Sequence, residues 1–323
     1  MSANTPIEWT GATWNPTLGC SKKSPGCKNC YAIRVAHRLQ RNPNPKIAKA
    51  FEGLTIIQNG APNWTGRVNF VPDRLSIPLR TKKPTTYFVN SLSDLFHENV
   101  SDEQIYLAFA VMHQCPQHTF QVLTKEAERM REWCANAPAR FGHLPPIGKA
   151  WPLPNVWLGT SVENQEYADK RIPLLLQTPA AVRFISAEPL LGPVDLGIWT
   201  EEGLECSACK WKGTEAAAKE DGDEEDPGLL CPKCNERCCH TPLDELLGAE
   251  IGINWVIAGG ESGPDARPCD VAWIRSLIQQ CEAAGVPCFV KQLGAKPIDN
   301  DSCARCIPAS RDSICQVRKQ YHV

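Results

Sequence analysis

The sequence lacks the features that mark membrane-spanning and secreted proteins. No segment approaches the roughly 18 consecutive apolar residues of a membrane-spanning helix. The first residues, Met1 to Pro6, contain neither the basic region nor the apolar region of a secretory signal peptide. We therefore expect a cytoplasmic protein with no membrane partner, in which cysteine thiols stay reduced.

The sequence also lacks the motifs of several common enzyme classes. It contains no Gly-x-Ser-x-Gly nucleophile motif and no His-Glu-x-x-His zinc motif, and its 7 histidines are scattered. The glycine-rich segment Gly259–Gly263 lacks the spacing of a dinucleotide fingerprint or of a P-loop. No internal repeat is evident. None of these motifs therefore competes with a site built on cysteine.

Cysteine, by contrast, is abundant. The chain has 17 cysteines, which in a reducing compartment indicate metal ligands and not disulfides. Cys20, Cys27 and Cys30 share one short segment, with six residues in the first gap and two in the second. A structural zinc site needs four protein ligands. Three thiolates instead leave one iron of a 4Fe–4S cluster open, which is where a radical enzyme binds S-adenosylmethionine.

The spacing of this cysteine triad leaves more than one metal possible. The usual radical S-adenosylmethionine motif has gaps of three and two residues, so the second gap matches and the first is longer. Gly19, Pro25 and Gly26 permit the sharp turns of a loop that wraps a cluster. A zinc knuckle with a distant fourth ligand, or three isolated thiols, are the alternatives, because spacing does not identify the metal.

Short apolar segments alternate with helical patterns over most of the chain. The predicted strands are Thr86–Asn90, Thr119–Leu123, Val156–Thr160, Val182–Ser186, Trp255–Gly259 and Pro287–Lys291. The predicted helices are Asp102–Gln114, Lys125–Ala135, Asn164–Gln177 and Val271–Ala284. This alternation predicts an α/β fold with a parallel sheet. With one strand before the cysteine triad, six or seven units form an incomplete (β/α) barrel; an open doubly wound sheet is the alternative.

An inserted module interrupts this alternation at residues 200–248. Two Cys-x-x-Cys pairs, Cys206 with Cys209 and Cys231 with Cys234, have the spacing of a zinc ribbon. Cys238, Cys239 and His240 are alternative ligands. The module carries 13 acidic and 5 basic residues, so we expect its acidic loop to be solvated and the module to act as a lid or to dock a protein partner.

The predicted domains follow from this interruption. Residues 1–198 and 250–295 form the partial barrel, residues 200–248 the zinc ribbon, and residues 296–323 an irregular tail. Cys303, Cys306 and Cys315 in the tail bind a further metal or are free thiols. Outside the insertion the chain has 29 basic and 23 acidic residues, which is compatible with a nucleotide or nucleic-acid substrate.

Polar residues follow the end of every predicted strand. They include Ser91, Asp94, His97, Lys125, Ser161, Glu163, Ser186, Glu188, Glu261 and Lys291, and the loop at Glu261 also contains Gly259 and Gly260, which allow close approach of a ligand. The C-terminal ends of parallel strands line the active site of a (β/α) barrel, so this pattern predicts a polar ligand site. Each residue also has a structural interpretation: Asp94 caps a helix, Lys125 lies on a helix surface, or Glu188 ends a strand before Pro189.

Six motifs together resemble a known family. They are Trp14–Tyr31 with the cysteine triad, Asn90–His97, Leu123–Lys125, Gly159–Asn164, Ser186–Leu190 and Gly259–Gly263. They closely resemble the phage and prophage three-Cys-motif family of radical-SAM-like proteins, over roughly residues 5–198 and 250–295. The resemblance implies a radical-SAM-type TIM barrel with a 4Fe–4S cluster on Cys20, Cys27 and Cys30. It also suggests phage nucleic-acid metabolism or base modification.

The analogy with radical-SAM barrels also implies roles for the strand ends. Ser91 and Asp94 would face the methionine amino group of S-adenosylmethionine. Lys125 and Glu261 would face the substrate and are the candidate catalytic residues. The residues expected to contact the rest of the cofactor are Ser161, Glu163, Glu188, Gly259 and Gly260.

We therefore hold two hypotheses for the function. In the first, a 4Fe–4S enzyme cleaves S-adenosylmethionine reductively and starts radical chemistry on a nucleoside, a nucleotide or a nucleic-acid base. Such an enzyme needs a flavodoxin-like or ferredoxin-like electron donor. In the second, a non-catalytic protein holds only zinc and binds nucleic acid or a protein partner.

Overall fold

The computed structural model describes residues 7–140, 151–196 and 252–299, with Cys234 and five short strands between residues 203 and 241. Its centre is a curled, parallel sheet of seven strands that forms a half-barrel. These strands are β1 (Ala12–Trp14), β6 (Thr86–Val89), β7 (Thr119–Thr124), β8 (Val156–Ser161), β9 (Val182–Ala187), β15 (Trp255–Gly259) and β17 (Cys288–Gln292).

The order of the strands distinguishes the two predicted architectures. The spatial order is β1-β6-β7-β8-β9-β15-β17, which is the order of the strands along the chain. In a doubly wound sheet the order of the strands reverses at a switch point, and in this sheet it does not. The α/β class and the six or seven units are confirmed, and the sheet is compatible with a partial TIM-barrel-like fold.

The described residues contain helices α1 (Tyr31–Leu39), α2 (Pro45–Ala50), α3 (Ser76–Arg80), α4 (Asp102–Gln114), α5 (Ala127–Arg140), α6 (Gln165–Leu176) and α7 (Val271–Ala283). Helices α4 to α7 lie close to their predicted positions, whereas α1, α2 and α3 were not predicted. Helix α4 begins where Ser101 and Gln104 form a reciprocal capping box. Its buried residues include Ile105, Phe109 and Met112, whose spacing places them on one side of the helix. No described helix is long and apolar enough to cross a membrane.

The two faces of the sheet differ in composition. Side chains alternate between the faces of a strand, and one set packs with the helices into the main hydrophobic core. That set includes Tyr87, Val89, Phe120, Val122, Leu158, Ile185, Val256 and Val290. The other set faces the concave side, where Phe88, Trp157, Phe184 and Trp255 form a chain of ring contacts with Trp9. The concave side is therefore lined with aromatic rings.

The segment between β1 and β6 forms a small subdomain. It contains α1, α2, α3, the hairpin of β3 (Thr55–Gln58) and β4 (Ala61–Trp64), and the pair of β2 (Thr17–Leu18) with β5 (Asn69–Phe70). Its own core consists of Leu18, Ala32, Ile33, Ala36, Phe51, Leu54 and Trp64. This core holds α1 against the hairpin, and α1 directly follows the cysteine triad.

The insertion contains short antiparallel strands. They are β10 (Gly203–Cys206), β11 (Lys212–Gly213), β12 (Lys219–Glu220), β13 (Leu229–Leu230) and β14 (Cys238–Thr241). Strand β10 pairs with β11 and β14, and β12 pairs with β13. Cys209 and Cys231 lie outside the described residues, so the zinc ribbon stays a prediction.

The start of the predicted tail pairs with the barrel. Strand β18 (Pro297–Ile298) pairs in parallel with β16 (Cys269–Asp270), which directly precedes α7. Cys303, Cys306 and Cys315 lie outside the described residues.

Candidate functional site

A cavity of about 200 Å³ lies at the C-terminal ends of the barrel strands. The strand ends and the loops after them contribute Lys125, Ser161, Ser186, Glu188, Glu261, Ser262 and Lys291. The cysteine segment contributes Gly26, Asn29, Cys30 and Tyr31. Ile7, Trp9, Phe88 and Leu123 provide apolar surface. The cavity thus combines one cysteine of the triad, several charged groups and aromatic rings, as a site for a partly apolar, partly charged ligand requires.

One residue of the cysteine triad, Cys30, lines this cavity. Cys27 is buried at the end of a short 3₁₀ turn, and Cys30 is the residue before α1. Burial, followed by the negative charges of Asp94, Cys30 and Cys27, raises the pKa of Cys20. Burial also raises the pKa of Cys30, and the nearby Cys27 adds to this effect. Ionised thiols therefore disfavour one another in this loop, and a cation between them would offset that cost.

The triad has the donor set of a soft metal but not the arrangement of a completed site. Its three donors are all sulfur, the ligand type that iron–sulfur clusters and zinc take. Within the described residues, no group of three or more His, Cys, Asp or Glu side chains is placed to hold a metal ion. A cluster on these thiols is therefore a proposal, with the sulfurs converging around it when it binds.

Glu163 holds the cysteine segment in place through Ser24. Its side chain is fully buried and contacts Lys125, with Arg171 Nη1 3.1 Å from Oε2. Ser24 Oγ donates a hydrogen bond of 2.5 Å to Oε1. A Cβ atom on Gly26 would lie 2.5 Å from the same oxygen, so only glycine fits this close approach. The carboxylate thus serves to position the loop, although the sequence suggested a cofactor contact.

Glu261 holds the same segment through Asn29 and Arg267. Arg267 donates to both carboxylate oxygens, at 2.7 Å and 3.0 Å from its side chain, and Asn29 donates at 2.9 Å. Arg267 also donates to the carbonyl oxygen of Pro25 at 2.9 Å. Burial alone would raise the pKa of Glu261, but the hydrogen bonds from Arg267 and Asn29 lower it. The group is therefore a carboxylate at neutral pH and cross-links two loops.

Glu188 and Lys291 form an ion pair at the wall of the cavity. Lys291 Nζ lies 2.6 Å from Glu188 Oε1, and Gln292 Nε2 donates to the same oxygen at 3.2 Å. Ser161 and Ser186 line the cavity beside them and are direct neighbours across β8 and β9. These four side chains present both charges and two hydroxyls, which suits a zwitterionic or hydroxyl-bearing ligand.

Asp94 is engaged by the protein itself. Its carboxylate accepts hydrogen bonds from Thr124 Oγ1 at 2.6 Å, Lys125 N at 2.9 Å and Phe96 N at 3.0 Å. Burial raises its pKa, and these hydrogen bonds oppose that shift. Ser91 donates to Asn15 Oδ1 at 3.2 Å. Both residues lie behind the cavity wall and not among the residues that line the cavity.

The two predicted glycines allow close packing between loops. A Cβ atom on Gly260 would lie 2.5 Å from the carbonyl oxygen of Leu293, and one on Gly259 would lie 3.3 Å from that of Gln292. The amide of Gly260 donates to the Gln292 carbonyl at 3.0 Å. These glycines therefore hold the loop after β15 against the end of β17, which brings Glu261 to the cavity.

Several residues at the site were not singled out from the sequence. Ser24, Asn29, Arg171 and Arg267 hold the two anchoring carboxylates, and Trp9 lines the cavity. Arg171 lies inside a helix and Arg267 in a loop, where no motif distinguishes them from surface arginines. Glu163 lies 8 residues before Arg171, and Glu261 lies 6 residues before Arg267. These preceding acidic residues were the only available signal in the sequence.

The zinc-ligand candidates can be placed only in part. Cys206 ends β10 directly opposite Cys238 of β14, and Cys234 is exposed. With Cys209 and Cys231 outside the described residues, the structure does not bring the four cysteines together or separate them.

The comparison with protein families produced one match. A model described as a protein of unknown function, DUF5131, covers residues 4–319 of the chain. No curated protein and no solved structure matches the sequence.

Proposed function

The chain belongs to the DUF5131 family of proteins of unknown function, and we propose that it is a radical S-adenosylmethionine enzyme. In this proposal Cys20, Cys27 and Cys30 hold a 4Fe–4S cluster with one iron open to the cofactor. The carrying observation is the location of the triad: three thiols, with no fourth from the same segment, share one loop, and Cys30 of that loop lines a charged cavity at the C-terminal edge of a parallel half-barrel. This finer fold, a radical-SAM-type barrel, is part of the proposal.

The cavity offers groups that complement S-adenosylmethionine. Glu188 and Lys291 present a carboxylate and an ammonium group to an amino acid moiety, and the hydroxyls of Ser161 and Ser186 suit a ribose. Trp9 and Phe88 provide apolar ring surface for a base. The buried Nε1 of Trp9 has no hydrogen-bond partner within the described part of the chain, so a ligand acceptor would satisfy it.

The protein residues have distinct tasks in this proposal. The bound cluster would supply the electron that breaks a C–S bond of the cofactor. Glu163 and Glu261 position the cysteine segment through Ser24 and Asn29. Lys125 lines the cavity while contacting Glu163, and in this proposal its ammonium group binds an anionic or carbonyl oxygen of the substrate. The aromatic surface excludes water from the reacting groups.

The substrate in this proposal is a nucleoside, a nucleotide or a base in nucleic acid, and a flavodoxin-like or ferredoxin-like protein supplies the electron. The insertion holds one structural zinc ion, and its acidic loop acts as a lid or docks a protein partner. The basic balance of the chain outside the insertion supports the choice of substrate.

Metal analysis after anaerobic purification tests the proposal. We expect about four iron atoms and four sulfides on the triad and about one zinc per chain, with the broad visible absorption of an iron–sulfur protein. Reduction in the presence of S-adenosylmethionine should then yield 5′-deoxyadenosine. About two zinc ions and no iron after reconstitution would contradict the proposal and favour the zinc-only binding protein.

Cysteine variants provide the matched control. Cys20→Ala should lose the iron and all cleavage of S-adenosylmethionine, because a 4Fe–4S cluster needs its thiolate ligands. Cys115→Ala removes a sulfur that is buried at the end of α4, outside the cavity, and should retain both. Cleavage retained by Cys20→Ala would refute the assignment of the cluster.

A further inference from the structure

Positive charge is concentrated in the subdomain between β1 and β6, which includes the cysteine segment. Residues 22–83 contain 13 Lys or Arg and 2 Asp or Glu, in a chain whose net charge is −2. The acidic residues of this segment are too few to neutralise its basic residues, and most of the basic side chains are exposed to solvent. Such density indicates a polyanionic partner more strongly than the charge of the whole chain does.

Helix α1 carries part of this charge on one side. Arg34, Arg38 and Arg41 are exposed, whereas Ala32 and Ala36 are buried in the subdomain core. At about 100° per residue Tyr31, Arg34 and Arg38 fall within an arc of about 60°. Arg41 lies in the turn two residues after the end of the helix. We call this set, Tyr31, Arg34, Arg38 and Arg41, the α1 basic face. From Tyr31 to Arg38 it extends about 10 Å along the helix, the length of roughly three stacked nucleotides, and Arg41 follows just beyond the helix end.

The α1 basic face begins at the cavity. Tyr31 lines the cavity, and half of its surface is exposed. Its hydroxyl donates a hydrogen bond of 2.8 Å to the carbonyl oxygen of Ser91, which fixes the ring at the cavity entrance. A fixed aromatic ring at one end of a row of arginines is the combination by which proteins bind single-stranded nucleic acid.

The arginines are available to phosphate groups. Arg38 makes no ion pair with a residue that the structure describes. Arg34 pairs with Asp265 at 2.9 Å, but both side chains are exposed, so the pair contributes little and a phosphate can compete for the guanidinium. Arg41 contacts the ring of His37 and no described carboxylate.

We propose that the α1 basic face binds the phosphodiester backbone of a single-stranded nucleic acid and that Tyr31 stacks on the base at the cavity entrance. A single strand fits because a base inside a duplex cannot enter the cavity without being flipped out. An acidic peptide would use the arginines but would leave the aromatic ring without a planar partner. Delivery of a base to the cavity rests on the proposed function; binding along α1 does not.

Fluorescence anisotropy on the full-length chain tests this inference. The probes are labelled 12-nucleotide single strands of DNA and of RNA and a duplex of the same sequence, each titrated at several KCl concentrations. We expect the single strands to bind more tightly than the duplex. Arg38→Gln/Arg41→Gln should weaken binding by at least about tenfold in 50 mM salt and lower the salt slope by about 1.4, since each lost phosphate contact lowers it by about 0.7.

A second pair of lysines provides the matched control. Lys82 and Lys83 are exposed and precede the N-terminal end of β6, at the opposite edge of the sheet from the cavity. Lys82→Gln/Lys83→Gln removes the same charge and should change affinity less than twofold. Tyr31→Ala should weaken single-strand binding without changing the salt slope. Tyr31→Phe should bind like the parent protein, because stacking needs the aromatic ring and not the hydroxyl group.

The outcomes separate this inference from the proposed function. Equal losses in the two double variants, tighter binding of the duplex, or equal competition by poly-glutamate would overturn the assignment of a nucleic-acid strand to α1. Anisotropy requires no turnover and no reductant. A protein that takes up no iron on reconstitution but still shows the selective loss in Arg38→Gln/Arg41→Gln would contradict the radical chemistry and support the binding surface.

Discussion

The two faces of the curved sheet have the same backbone but different side chains. The outer face presents aliphatic residues such as Val122 and Ile185, which the helices cover. The concave face presents Phe88, Trp157 and Trp255, and its C-terminal edge carries ion pairs. The outer face therefore supplies most of the hydrophobic stabilisation, and the concave face lines the candidate site, since neighbouring residues in a strand point to opposite faces.

The strongest test of this contrast compares one aromatic residue from each side. Phe109 is fully buried among Phe96, Trp133 and Trp151 in the outer core. We expect Phe109→Ala to lower the free energy of unfolding by about 3–5 kcal/mol, because it leaves a cavity. Phe88→Leu keeps apolar volume on the concave side and should cost less than about 1.5 kcal/mol while weakening ligand binding.

Urea denaturation and equilibrium binding of S-adenosylmethionine measure the two effects. Equal losses of stability in the two variants would contradict the division between the faces.

The two glutamates of the cavity edge provide a smaller test. Glu163 is fully buried with Arg171 and Lys125, whereas Glu188 pairs with Lys291 at the cavity wall. Glu163→Gln leaves buried positive charge uncompensated and should lower stability by about 3 kcal/mol. Glu188→Gln keeps a hydrogen-bond acceptor near Lys291 and should cost less than about 1 kcal/mol.

For activity we expect the reverse order. Relative to its small loss of stability, Glu188→Gln should impair activity more than Glu163→Gln does. With folded protein at low temperature, Glu188→Gln should raise the KM for S-adenosylmethionine if its carboxylate binds the cofactor. A variant that matches the parent in KM and kcat would remove Glu188 from the cofactor site.

The smallest expected effect concerns the pH dependence of stability. The pKa of Glu261 lies below its usual value of 4.5, because hydrogen bonds from Arg267 and Asn29 outweigh burial. The carboxylate therefore adds stability above pH 4.5, and that contribution disappears as the pH falls through the lower pKa of the folded state. The parent protein should therefore have a higher free energy of unfolding than Glu261→Gln at pH 7. This difference should be smaller at acid pH, where the carboxylate is protonated.

Urea midpoints at pH 7 and at pH 3.5 measure this change, with Glu52→Gln as the control because Glu52 is exposed. A constant difference between Glu261→Gln and the parent at both pH values would show that the carboxylate adds no pH-dependent stability.

Much of the architecture could be predicted from hydrophobic periodicity. The helix Asp102–Gln114 and the strand Trp255–Gly259 have the bounds that the sequence predicted, and the other barrel elements differ by one to a few residues at an end. Apolar strands and amphipathic helices leave a local signature in a sequence. The subdomain between β1 and β6 left no such signature, because its short elements are held by a core of residues distant along the chain.

The sequence predicted which residues lie near the candidate site, but not which of them line the cavity and which are engaged by the protein itself. Lys125, Ser161, Glu188 and Glu261 line the cavity, as their positions at strand ends suggested. Asp94 has the same kind of position, but its carboxylate is engaged by Thr124 and the amides of Lys125 and Phe96. A strand end brings a side chain to the edge of the sheet without determining what it contacts there.

The sequence by itself determined the parallel α/β order, the polar strand ends and the clustering of three thiols, because each depends on periodicity or on residues close together in the chain. The tertiary structure decided which polar groups reach the cavity and which hold the cysteine segment. Ser24 reaches Glu163 across 139 residues, and Asn29 reaches Glu261 across 232 residues. Contacts over such separations depend on how the sheet curls, and local patterns do not specify that curvature.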